Sequence, residues 1–151
     1  MPILRNACED DLPALLKLYT ELSEVNAMPD AEAFPRVSAV WRKILADEDH
    51  YILVCQNENT GELFSSCVLV IIPNLTHNQR PYALIENVVT ASAHRGRGYA
   101  TQLLQLASEI AARAGCYKVM LMTGSKRAST LQFYENAGFD PAAKTAFLKR
   151  L

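Results

Sequence analysis

An apolar segment, Leu84-Ile85-Glu86-Asn87-Val88-Val89-Thr90, passes through Ala91-Ser92-Ala93-His94 into Arg95-Gly96-Arg97-Gly98-Tyr99-Ala100. The loop leads straight into Ala100, Leu103, Leu104, Ala107, Ile110, Ala111 and Ala114, which trace one face of a long helix ended by Gly115. A strand that enters a helix through two glycines points to an α/β layout with a ligand loop near its middle. Gly96 and Gly98 allow a tight turn and a close approach of backbone to ligand. The free N–H groups of the helix start then face outward, and with the helix dipole they suit an anion such as a pyrophosphate. Arg95 and Arg97 add guanidinium groups, which match phosphate geometry.

Two familiar nucleotide loops do not fit. A P-loop needs Lys and then Ser or Thr after its second Gly, whereas Tyr99 follows Gly98. A dinucleotide fingerprint needs a third small residue where Thr101 stands, and it normally follows the first strand of a fold. The pattern that does fit is Arg-x-x-Gly-x-Ala, made by Arg95, Gly98 and Ala100.

The rest of the chain supports one domain over residues 1–151. The formal net charge of -1 supplies no basic field for nucleic acid or an anionic membrane, so phosphate binding has to be local. No apolar run is long enough to span a bilayer, and the N-terminus does not read as a signal peptide; a cytoplasmic protein is expected. Cys8, Cys55, Cys67 and Cys116 form no CxxC pair and read as reduced thiols, with no metal-ligand spacing.

Ile3 to Ala7 reads as a first strand, and Leu12, Leu15, Leu16, Tyr19 and Leu22 as a helix face behind Asp10 and Asp11. A second helix is expected over Ala31 to Ala46. Tyr51 to Cys55 and Leu63 to Ile72 flank the turn residues Asn57 to Gly61 as a hairpin, and a strand from Tyr82 to Thr90 follows a polar loop. Tyr117 to Met122, apolar on both faces, is expected at a central sheet position. A helix over Arg127 to Ala137 precedes a possible last strand over Thr145 to Leu148.

Arg95, Gly98 and Ala100, with Ile85, Val88 and Val89 before them, resemble motif A of the GNAT N-acetyltransferase superfamily. Leu131-Gln132-Phe133-Tyr134-Glu135-Asn136-Ala137-Gly138-Phe139 resembles its second signature, FYxxxGF. Ile85-Glu86-Asn87-Val88-Val89 and Cys116-Tyr117-Lys118-Val119 look like the glucosamine-6-phosphate N-acetyltransferase branch, in the cofactor-binding half. The resemblance implies a three-layer α/β fold: a mixed, splayed sheet of six or seven strands flanked by about four helices. It implies acetyl-CoA as co-substrate without a metal, with the pantetheine arm along Val88, Val89 and Thr90. The pyrophosphate would then sit on Arg95, Gly96, Arg97, Gly98, Tyr99 and Ala100. A homodimer is common in the superfamily.

Acetyl transfer to an amine needs a base for the ammonium, a donor for the oxyanion and an acid for the leaving thiolate. Tyr134 matches the family's acid, a phenol with a pKa of roughly 10; the alternative is a core aromatic on an amphipathic helix. Glu86 interrupts an apolar strand and is the candidate base, or else a solvent-facing or salt-bridged residue. By strict alternation it shares a face with Leu84 and Val88, and Asn87 faces the other way. Arg127 replaces the Asn that the family often places seven residues before the tyrosine. The small-molecule amine would meet the region of Tyr19 to Trp41 and the loop from Asn74 to Pro81, where Glu21, Glu24, Asp30 and Glu32 could attract a cation or simply be solvated. An amino-sugar phosphate, a peptide amine and a non-catalytic acyl-CoA-binding role are the alternatives.

Overall fold

The structure is a computed structural model that describes residues 1–23 and 25–151, so Glu24 lies outside the described residues. Pro2–Asn6 (β1) leads to Leu12–Tyr19 (α1) and Phe34–Ala46 (α2). The hairpin His50–Asn57 (β2) and Leu63–Ile72 (β3) follows, then a single turn at Thr76–Gln79 (α3) and the strand Tyr82–Thr90 (β4). Tyr99–Arg113 (α4), Val119–Leu121 (β5) and Ala128–Asn136 (α5) complete the set. The five strands lie in the order β1-β2-β3-β4-β5, antiparallel except for the parallel β4–β5 pair joined through α4. None of the described helices is long and apolar enough to cross a membrane.

Local chemistry explains most boundaries. Pro13 and Pro35 sit in the first turns of α1 and α2, where a missing N–H costs nothing. That is why α2 starts at Phe34 and not at Ala31: the Asp30 carboxylate and carbonyl hold a turn ahead of it, accepting from the N–H groups of Ala33 and Phe34. At the β2–β3 turn the Asn57 side chain accepts from Asn59 and Thr60, and Gly61 takes φ +73°.

Each face of the sheet carries its own core. Leu53, Cys67, Leu69, Ile71, Ala83 and Ile85 meet Leu103, Leu104, Ala107 and Ala111 of α4, with Phe133 and Tyr134 of α5 packed against them. On the other face Ile52, Val54, Val68 and Val89 meet Leu12, Leu15 and Leu18 of α1 and Trp41 of α2. Each fully buried aliphatic side chain contributes about 1.5–3 kcal/mol. All four cysteines are free thiols.

Two expectations are corrected. The Tyr117–Met122 run forms only Val119–Leu121, and it lies at the edge of the sheet, not its centre. A run apolar on both faces records layers above and below the strand, and carries no information about a neighbour beside it. Thr145 to Leu148 form no strand, and Phe147 and Leu148 are exposed, so the sheet has five strands where six or seven were expected. A strand needs a pairing edge, and none of the described strands pairs with that segment.

Candidate active site

The site begins with a fault in the register of β3 and β4. Val68 pairs with Glu86 and Ser66 with Val89, so Cys67 faces two residues, Asn87 and Val88. This is a β-bulge, and Asn87 takes the left-handed φ of +52° within it. An extra residue resets alternation. Glu86 keeps to the α1–α2 face with Val68, while Val88 packs with the α4 core. The expectation that Glu86 and Val88 share a face is therefore wrong.

On the other side of β4 the pairing to β5 covers only Ala83, Leu84 and Ile85. From Glu86 to Thr90 that edge of β4 has no described strand beside it, which leaves a gap for an extended ligand to bond to the backbone. Ser65 tightens the opposite edge: its Oγ donates to the Val89 carbonyl at 2.7 Å and lies 2.8 Å from Thr90 Oγ1. Ser65 escaped the sequence reading, although a polar Ser-Ser pair inside an apolar strand was a visible signal.

Beyond the gap, Gly96 and Gly98 take φ of +74° and +79°, and Gly98 begins α4 with no side-chain cap. A Cβ at either glycine would meet no atom within 4 Å, so the loop and the first turn of α4 border open space. Tyr99 stacks on Phe64 at 4.9 Å, and His94 packs on the same ring at 4.2 Å while its Nε2 meets Glu62 at 3.1 Å. These contacts hold the loop from beneath. Arg97 is exposed, and Ala100 is half-buried on the first turn of α4.

Tyr134 reaches the gap from α5. Its backbone carbonyl accepts from the N–H groups of Ala137 and Phe139, and its ring lies between Phe133 and Phe139, at 4.9 and 6.4 Å. Burial pushes its phenol pKa up, and the nearby Cys67 and Glu86 push it further. The phenol is thus kept protonated. Glu86 is exposed. Arg127 is the residue ahead of α5; it is exposed, and its carbonyl accepts from Thr130 and Leu131.

Tyr19, expected on the face of the first helix and at the border of the acceptor region, stands at the bulge. Ser66 and Asn87 adjoin its hydroxyl, and burial drives its pKa to about 12. Tyr19 also lines an apolar cleft of about 310 Å³ between α1 and α2, together with Leu16, Val37 and Trp41. A cleft of about 500 Å³ beside Leu4, Arg5 and Arg113 opens over β1 and β2, away from β4, and is no part of this site. Among the described residues no cluster of three His, Cys, Asp or Glu side chains could hold a metal ion.

Of the acceptor-side acids, Asp30 caps the turn before α2, and Glu32 is exposed. Glu21 is turned toward the loop, against Ser92 and Arg95.

The profile of the Acetyltransferase (GNAT) family matches residues 12–139, a span that holds both the bulged strand and α5. The chain belongs to this family. GNAT enzymes use acetyl-CoA as co-substrate, and this chain is an acetyl-CoA-dependent N-acetyltransferase. It is 33% identical over 140 residues to the glucosamine 6-phosphate N-acetyltransferase of Trypanosoma brucei brucei, covering 90% of this chain and 87% of that one. A solved candidate acetyltransferase from Agrobacterium tumefaciens is 41% identical, with a TM-score of 0.88 over 99% of both chains. The glucosamine-6-phosphate N-acetyltransferase of Arabidopsis thaliana, at 22% identity and a TM-score of 0.80 over 100% of this chain and 98% of that one, shares the GNAT fold.

Glu86→Gln is expected to lower kcat/KM by about tenfold to a hundredfold. Steady-state thiol release checks this, and an unchanged kcat/KM would take Glu86 out of the reaction.

Proposed function

We propose that residues 1–151 act as one domain that acetylates the amine of a small molecule, with an amino-sugar phosphate as the acceptor to test first. The observation that carries this reading is the β5-side edge of β4, which pairs with no described strand after Ile85, with Glu86 on one face of β4 and Tyr134 approaching from the other. The relative from Trypanosoma brucei brucei, named for glucosamine 6-phosphate, supports the choice of acceptor.

Acetyl-CoA, when bound, supplies the acetyl group as a thioester. Val88, Val89 and Thr90 present backbone groups to its pantetheine arm, and Arg95, Gly96, Arg97, Gly98, Tyr99 and Ala100 hold its pyrophosphate. Glu86 accepts the proton that the ammonium must lose before its nitrogen can attack. A backbone N–H on the free edge of β4 donates to the carbonyl oxygen as it gains charge. Tyr134 delivers its phenolic proton to the sulfur as the carbon–sulfur bond breaks, and the second proton that the nitrogen sheds on becoming an amide restores the phenol. The amine proton and the sulfur proton are thus handled from opposite faces of one strand.

Thiol release from acetyl-CoA, measured with amino-sugar phosphates, simple amines, amino acids and peptides, tests the reading. Release driven by an amino-sugar phosphate supports it, release only with peptides replaces the acceptor class, and tight cofactor binding with no turnover favours a non-catalytic acyl-CoA sensor.

The reading includes a homodimer. The outer edge of β5 pairs with no described strand, and Phe147 is 91% and Leu148 70% exposed on a segment with strand-like composition. An exposed apolar segment of this kind is most stable when it pairs with a free sheet edge. Sedimentation is expected to show a dimer that Phe147→Asp with Leu148→Asp converts to monomer; a monomeric parent protein would end the idea.

A further inference from the structure

Glu21 lies two residues beyond the end of α1, yet its partners belong to the cofactor loop. Its Oε2 accepts from the Ser92 backbone N–H at 2.7 Å, across 71 residues of sequence, and lies 3.7 Å from an Arg95 guanidinium nitrogen. Arg95 in turn donates from Nε to the Thr90 carbonyl at 3.1 Å, at the end of β4. One carboxylate therefore joins the acceptor-side helix, the exit of the bulged strand and the arginine of the Arg-x-x-Gly-x-Ala loop. The Arg95 side chain is 60% exposed and that of Glu21 34%, so an arriving anion can reach the pair.

The two contacts of Glu21 act in opposite directions on an anionic ligand. The bond to Ser92 holds the short helical turn Ser92–His94 in place and favours binding. The negative charge occupies Arg95 and repels a pyrophosphate. We propose that Glu21 is a positioning residue of the cofactor loop whose charge competes with the acetyl-CoA pyrophosphate for Arg95. This inference rests on the pyrophosphate placement proposed above. Cofactor binding then loosens the hold of α1 on Arg95, and by linkage anything that strengthens that hold weakens cofactor binding equally.

Glutamine separates the two effects, because its amide oxygen still accepts from Ser92 while the charge is gone. Calorimetry with coenzyme A on the full chain reads the outcome without needing an acceptor. Glu21→Gln is expected to bind coenzyme A about twofold to fivefold tighter at low ionic strength, with the gain lost near 1 M salt, where screening acts over about 3 Å. Glu21→Ala, which also loses the Ser92 bond, binds less tightly than Glu21→Gln. Pantetheine, which lacks the pyrophosphate, binds both proteins equally. An affinity of Glu21→Gln for coenzyme A equal to or below that of the parent, or an equal gain with pantetheine, overturns the competition. Failure of the parent protein to bind coenzyme A overturns the cofactor placement itself, a result distinct from a parent that binds and a variant that does not differ.

Discussion

Tyr134→Phe is expected to cut turnover by about 10²- to 10³-fold while leaving the affinity for coenzyme A within about twofold of the parent. The ring contacts with Phe133 and Phe139 survive the change, and so do the backbone bonds that close α5. What disappears is one O–H in the neighbourhood of Cys67 and Glu86. The pH dependence makes the test specific. Burial, then Cys67, then Glu86 raise the phenol above its ordinary value near 10, so the protonated donor persists through neutral and mildly alkaline pH. The parent enzyme should lose kcat only when the pH passes that raised value, and the Phe variant should lack this limb. Steady-state thiol release from neutral to strongly alkaline pH checks both features. Equal turnover in the two proteins would leave Tyr134 a packing residue.

Asp11→Asn should cost about 2–4 kcal/mol of folding stability, more than most surface changes. The Asp11 carboxylate receives both terminal nitrogens of Arg5, at 2.6 and 2.9 Å, and the Cys8 backbone N–H at 2.7 Å. Its side chain is only 10% exposed. The cluster fastens β1 to the start of α1, the helix that carries Tyr19 to the bulge. Arg5 also donates to Gln56 of β2, so an amide at position 11 leaves a half-buried guanidinium with a poorer partner. The Arg5 bonds, partly offset by burial, hold the Asp11 pKa below its ordinary 3.8. Its contribution is therefore complete above the unfolded value near 3.8 and is lost as pH falls through the lower folded value. Urea melts should show a large gap between parent and variant at neutral pH that closes in strong acid. A gap independent of pH would mean that the charge of Asp11 is not what stabilises the fold.

The segments that carry local chemistry were legible before any coordinates. The two glycines of the loop allow a tight turn, and both take a positive φ in it; the strand-loop-helix order around them followed from apolar spacing alone. The FYxxxGF helix lay where its pattern put it, closed by Gly138 at φ +95°. The faces of β4 were not legible. Period-two alternation is a rule for regular strands, and one left-handed residue at Asn87 reverses it for everything that follows. The lateral place of β5 and the irregular C-terminal segment failed for a related reason, since hydrogen-bond partners along a sheet leave no mark in a strand's own composition.

Sequence alone determined the loop, the helix faces, the family resemblance and the residue types available for acid–base work, because these depend on local backbone preference and the spacing of apolar groups. Tertiary structure decided the rest. It set Glu86 and Tyr134 on opposite faces of a strand whose β5-side edge meets no described strand beyond Ile85, brought Tyr19 to the bulge, and turned Glu21 toward Arg95. Those placements depend on strand register and on contacts between residues far apart in the chain, and neither is encoded in any short stretch of sequence.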